Sequence, residues 1–225
     1  MQFYVGFRTG IVIAAVAAAV FCQGLAGQDT QKDAKSHEAK GLPLPPRASP
    51  ADYQAHAQAG AVTIAADFAG HGVPTPESVF STEDYVVVEV GLYGPAGSHL
   101  NVSYKDFSLR INGKKSPLPA QPYEVVFHSL KDPEWEPPPS EAKSKGGINT
   151  GGAQGDSAPV VVKMPIGLVL AMEQKVQKAS IPEGDRALPE AGLIYFQHGG
   201  KLSGIHSAEL IYAGAAGKAT LNLQP

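Results

Sequence analysis

Tyr85-Val86-Val87-Val88-Glu89-Val90-Gly91-Leu92-Tyr93 decides how this chain is read. β-Branched and aromatic residues suit an extended, pleated backbone on which successive side chains point to opposite faces. Val86, Val88, Val90 and Leu92 share one face. Tyr85, Val87, Glu89 and Tyr93 share the other, which is also mostly apolar. A strand that is apolar on both sides is a central strand with cover on each side. The fold class this predicts is mainly β.

The same two-residue period extends outward from that strand. Val62, Ile64, Ala66 and Phe68 alternate with Thr63, Ala65 and Asp67, and Phe107-Ser108-Leu109-Arg110-Ile111 alternates in the same way. Asn112-Gly113 follows at once and supplies the two positive-φ positions of a tight hairpin turn. The returning segment Lys114–Leu118 runs into Pro117 and Pro119, which predicts a short edge strand. Glu124–His128 is a further expected strand, or the start of a longer crossing segment, and Val160–Met164 is an expected short strand. After Pro165, the residues Val169, Met172, Val176 and Ala179 recur at spacings of three and four, which predicts one amphipathic helix ending before Pro182. Residues 182–192 read as a turn-rich connection. Leu193–His198, His206–Tyr212 and Lys218–Leu223 close the chain as strands. Eight or nine short strands and one helix are expected, in a single domain over residues 53–225.

Two segments interrupt the pattern. Residues 132–158 have no apolar repeat and become Gly-rich in their second half, so a flexible insertion within the domain is expected there. The residues after it are too few for a comfortable core of their own. Trp135 stands between acids and prolines in this stretch, and docking on the sheet is the expected outcome. Residues 28–52 are polar and Pro-rich and read as a disordered tether, polyproline-like around Leu42-Pro43-Leu44-Pro45-Pro46.

Residues 1–27 read as a secretory signal peptide. Arg8 precedes an apolar run from Ile11 to Cys22, which is too short to span a bilayer, and Gly24 and Ala26 fit small-residue cleavage. Cleavage there removes Cys22, the chain's single cysteine, so the mature chain has no disulfide. The residue before Cys22 is Phe21, where acylation calls for a small side chain. Membrane attachment is expected only if the leader is retained or Cys22 is acylated. The expected location is otherwise periplasmic or extracellular.

The chain has 225 residues, with 18 Lys and Arg against 21 Asp and Glu and a formal net charge of -3. That balance excludes a strongly basic nucleic-acid binder, and no nucleic-acid partner is expected. Its 25 Gly and 19 Pro exclude a long coiled coil. The seven histidines show neither helical His pairs nor zinc spacing, so no metal site or cofactor is expected. His198-Gly199-Gly200 after a strand invites comparison with an esterase oxyanion turn, but no Gly-x-Ser-x-Gly follows it. Phosphate-binding glycine loops are missing as well. No catalytic residue is assigned.

The Tyr85–Tyr93 strand, the hairpin Asp106-Phe107-Ser108-Leu109-Arg110-Ile111-Asn112-Gly113-Lys114, and the late strands through Gly192–Phe196 and Glu209–Tyr212 resemble small immunoglobulin-like domains of unknown function in bacterial secreted and envelope proteins. The resemblance spans roughly residues 60–130 and 190–225. It implies an immunoglobulin-like β-sandwich, from which the helix and the Pro/Gly-rich insertion depart, and it brings no catalytic residues with it. The leader, tether and strand pattern, without a catalytic constellation, lead to the expectation of an exported, non-catalytic binding or structural module of unknown partner, other envelope proteins being the candidates. Two alternatives are kept: an envelope hydrolase with a site assembled from His128, His198 or His206 and loop acids, and an assembly factor working through an exposed sheet edge.

Overall fold

The computed structural model describes residues 42–137 and 163–225. The expected leader 1–27, residues 28–41 of the expected tether and residues 138–158 of the expected insertion lie outside the described residues. In chain order the strands are β1 (Ala55–Ala59), β2 (Val62–Gly70), β3 (Gly72–Pro74), β4 (Val79–Thr82), β5 (Tyr85–Tyr93), β6 (His99–Val102), β7 (Phe107–Ile111), β8 (Leu118–Gln121) and β9 (Leu130–Lys131). The helix α1 (Ile166–Ala179) follows, and then β10 (Gly184–Ala187), β11 (Glu190–Gln197), β12 (Ala208–Gly214) and β13 (Gly217–Leu223).

Eight of these strands form one antiparallel sheet in the order β1-β2-β5-β11-β8-β7-β12-β13. The sheet curls until β1 lies alongside β13, giving a nearly closed barrel. Two contacts draw the ends together. Gln54 Nε2 donates to the Gln224 carbonyl at 2.8 Å. At the opposite end, a Cβ on Gly60 would fall 2.3 Å from the Ala216 carbonyl oxygen, so the β1–β2 turn reaches the β12–β13 turn only because residue 60 has no side chain.

The barrel interior is the larger apolar cluster. Val86, Val88, Val90 and Leu92 of β5 meet Ile64, Ile194, Phe196, Leu109, Leu210 and Leu221 there. A second cluster covers the outside of the same strands: Tyr85, Val87, Leu193 and Tyr195 lie under Met172, Val176 and Ala179 of α1, with Val73, Phe80 and Val126 alongside. The covered central strand and the helix face read from the sequence are both present. Pro165 is the residue before the helix rather than its first member. The first turns of α1 project past this layer, leaving Ile166, Leu168 and Leu170 exposed.

The rest of the outer face of β5 is covered differently. Residues 42–54, most of which were expected to be tether, lie across β2 and β5. Ser49 caps a short 3-10 helix (Pro50–Asp52) with a reciprocal Ser49–Asp52 capping box. Arg47 sends Nε and Nη2 to the two Glu89 carboxylate oxygens at 3.2 and 3.0 Å, and Nη2 also meets Asp67 at 2.5 Å. Its guanidinium stacks 4.2 Å from the Tyr53 ring centroid. Tyr93 Oη donates to the Arg47 carbonyl at 2.9 Å. Gly91 leaves the gap in which Tyr53 lies, since a Cβ there would sit 2.7 Å from the phenol. Contacts with the domain therefore begin ahead of Tyr53.

Three expected elements are corrected. Asn112 and Gly113 both have positive φ, as the tight turn requires. The returning strand, however, is β8, and it is no edge. Leu118 and Pro119 pair with β7 while Ala120 and Gln121 pair with β11, so this strand hands the sheet from one half to the other. Glu124–His128 is not a strand but part of a 3-10 helix over Tyr123–Ser129, which follows Pro122 and buries Val126. Lys163 and Met164 precede α1 without strand structure, and 160–162 lie outside the described residues. Trp135 is half-buried in a turn closed by its N–H to the Asp132 carbonyl. The short strands β1, β3, β4, β6, β9 and β10 are not among those expected as separate elements.

Candidate functional site

The end of α1 is pressed onto β11. The Ile181 N–H donates to the Leu193 carbonyl at 3.0 Å. That approach requires Gly192, because a Cβ there would lie 2.4 Å from the Ile181 Cα. The chain then turns outward through Pro182 to β10. Between this turn, β11 and the 3-10 helix at Tyr123–Ser129 opens a cleft of about 660 Å³.

Its floor is Leu193, Tyr195 and Ser180, all buried. Ser180 Oγ donates its one proton to the Val176 carbonyl at 2.7 Å, which makes the Tyr195 hydroxyl the donor in the 3.0 Å contact between the two side chains. Burial pushes the Tyr195 phenol above its ordinary pKa and keeps it a donor. Ser180 is thus a structural cap on the helix, and its proton faces a peptide carbonyl rather than a base.

The walls are more polar. Tyr123 accepts from Gln177 Nε2 at 2.9 Å, and its phenol pKa is also raised by burial. Tyr104 stands opposite on a short 3-10 helix, with Lys105 5.7 Å from its ring centroid. Glu183 accepts from Ser103 Oγ at 3.1 Å through its carboxylate, and from Arg186 Nε and Nη2 at 3.0 and 2.8 Å through its backbone carbonyl. Glu124, Glu190, Lys178 and Pro43 complete the rim. Ring faces, carboxylates and two cations in one concavity can hold a ligand by stacking, hydrogen bonds and charge.

The three histidines of the hydrolase alternative stand apart from this cleft. His128 is exposed near the end of its 3-10 helix. His206 is exposed, its N–H donating to Asn112 Oδ1 at 2.7 Å. His198 follows β11, and its pKa is lowered by burial first and then by Lys114 and His71. His71 lies between two carbonyls, with Nδ1 2.8 Å from that of Tyr85 and Nε2 3.2 Å from that of Gly200. His99 pairs with Asp185 at 3.2 Å. Among the described residues no three His, Cys, Asp or Glu side chains come together as a metal site.

Sequence reasoning did not find the cleft. Its residues come from six separated stretches, and none forms a motif. Glu183, Arg186 and Glu190 fall in the expected turn-rich connection at 182–192, and nothing in the sequence singles out Tyr104 or Tyr123. No helix among the described residues is long and apolar enough to cross a membrane. A scan against protein-family models and searches of curated proteins and of solved structures find no match to this chain.

Proposed function

We propose that this protein is an exported, non-catalytic binding module of the bacterial cell envelope, and that the cleft at the end of α1 is its ligand surface. The observation that carries the reading is the convergence of Tyr104, Tyr123, Glu183, Arg186 and Glu190 on one concavity whose floor is fixed by the Ser180–Tyr195 hydrogen bond. The leader at 1–27 and the Pro-rich lead-in support export. The finer fold reading, an immunoglobulin-like sandwich, belongs to the same proposal. It is supported by the antiparallel halves β1-β2-β5-β11 and β7-β12-β13, whose side chains meet in one interior. The near closure through β8 is its departure from an open sandwich.

The test is ligand-observed NMR with libraries of amines, saccharides and short peptides. Hits weakened at least about tenfold by Tyr123→Ala or Glu190→Gln, with folding intact, support the reading. Robust turnover of a substrate panel, abolished by one point substitution in the folded part, would overturn it. A second reading, assembly through a sheet edge, draws support from β10, which among the described residues pairs only with β6 and whose residues are mostly exposed.

A further inference from the structure

Residues 42–47 carry the sequence Leu-Pro-Leu-Pro-Pro-Arg. A segment so rich in proline favours the extended, three-residue-per-turn polyproline conformation, in which residues i and i+3 share a face. Leu44 and Arg47 are such a pair, and the protein holds both. Leu44 packs against the apolar layer that contains Tyr85 and Tyr195. Arg47 enters a site built by three groups of the sheet and its margin: Glu89, Asp67 and the Tyr53 ring. A planar guanidinium bound bidentately by one carboxylate, bridged to a second and stacked on an aromatic face is the arrangement that selects arginine over lysine.

We infer that this outer face of β2 and β5 is a receptor for an extended, proline-rich segment ending in arginine, and that the chain's own residues 42–47 occupy it as a tethered competitor. The partner this surface fits is a peptide of the same chemistry, apolar residue and arginine three positions apart, on another chain. Glu89 and Asp67 lie on the paired strands β5 and β2 and stay in place when the strap leaves, two carboxylates then without a cation beside Tyr93 of β5, while Tyr53 caps the end of the 3-10 helix at Pro50–Asp52. The receptor is also imperfectly satisfied with the strap seated: the Tyr53 hydroxyl is enclosed with no hydrogen-bond partner among the described residues. Release of the strap gives that hydroxyl back to water, which lowers the cost of exchange. In the resting chain the strap has the advantage of tethering, equivalent to a local concentration on the order of millimolar, so a free peptide competes poorly.

The experiment is fluorescence-anisotropy titration of a labelled Leu-Pro-Leu-Pro-Pro-Arg peptide into the full-length protein. Arg47→Ala weakens the tethered competitor and leaves the receptor whole, so it should bind the peptide at least about tenfold more tightly than wild type. Adding Glu89→Gln to Arg47→Ala should abolish that gain, and a peptide ending in lysine should bind more weakly than the arginine peptide. Arg47→Lys, a milder change, should give an intermediate affinity and guards against misfolding of the alanine variant. If Arg47→Ala and Arg47→Lys, both folded by circular dichroism, bind no better than wild type, the inference fails. It fails equally if the gain survives Glu89→Gln. The strap's Pro43 borders the cleft, but Arg47, Glu89 and Asp67 do not line it, so the peptide titrations of these variants judge the inference apart from the binding-module reading.

Discussion

Strand β5 shows one outward face covered in two ways. At its first half, Tyr85 and Val87 are sealed by helix α1 and its apolar neighbours, with the Lys175–Glu77 pair at the margin of that layer. At its second half, Glu89, Gly91 and Tyr93 are covered by the strap through an arginine, two carboxylates and two tyrosine rings. The first cover rests mainly on area removed from water, which salt does not screen. The second rests on charge-assisted hydrogen bonds at a partly exposed site, where the guanidinium keeps about a third of its side-chain surface (32%). An apolar lid behaves as part of the core. A charged strap can be released without unfolding what lies beneath it.

Substitutions can break this contrast. Phe80→Ala, in the helix-covered half, should cost about 3–5 kcal/mol in denaturant titration, because a fully packed ring leaves a cavity. Arg47→Ala should cost less, about 1–2 kcal/mol, since its pairs are partly solvated, and the loss should shrink at high salt. Tyr195→Phe removes one buried hydrogen bond and should cost about 1 kcal/mol, with no salt dependence. If the Arg47 and Tyr195 losses respond equally to salt, the two covers are not different in kind.

A smaller effect is expected with pH. The folded-state pKa of His198 is depressed, so the unfolded chain takes up its proton first as pH falls. Its contribution is neutral above the unfolded value of about 6.5 and becomes destabilising as pH drops through that value toward the folded one. His198→Gln should remove that part of the acid loss, measured as thermal midpoints from neutral to mildly acidic pH. Lys131→Ala, which breaks the exposed pair with Glu83, should leave the thermal midpoint unchanged.

How much of this could be read from the sequence follows the same division. The alternation in Val62–Phe68, Tyr85–Tyr93 and Phe107–Ile111, and the three-four spacing of Met172, Val176 and Ala179, are period signals, and the elements they mark are present. Pro117 and Pro119 suggested an edge because a proline cannot donate to a ladder. β8 avoids the problem by pairing only two residues with each neighbour. Glu124–His128 looked extended because Val125, Val126 and Phe127 are good strand formers, but a three-residue turn buries one of them and half-exposes its neighbours. The cleft and the strap left no periodic trace. Both depend on pairs far apart in the chain, such as Arg47 with Glu89 and Ser180 with Tyr195. The one usable hint was Glu89, a lone carboxylate within an otherwise apolar strand.

The most direct test is amide hydrogen exchange of the full chain and its Arg47→Ala variant, residue by residue. The two-cover account predicts faster exchange at Asp52, Tyr53 and Gln54, with the Ile181 amide and the β5 and β11 ladders unchanged. Acceleration spread across the whole sheet, or none at the strap, would contradict it.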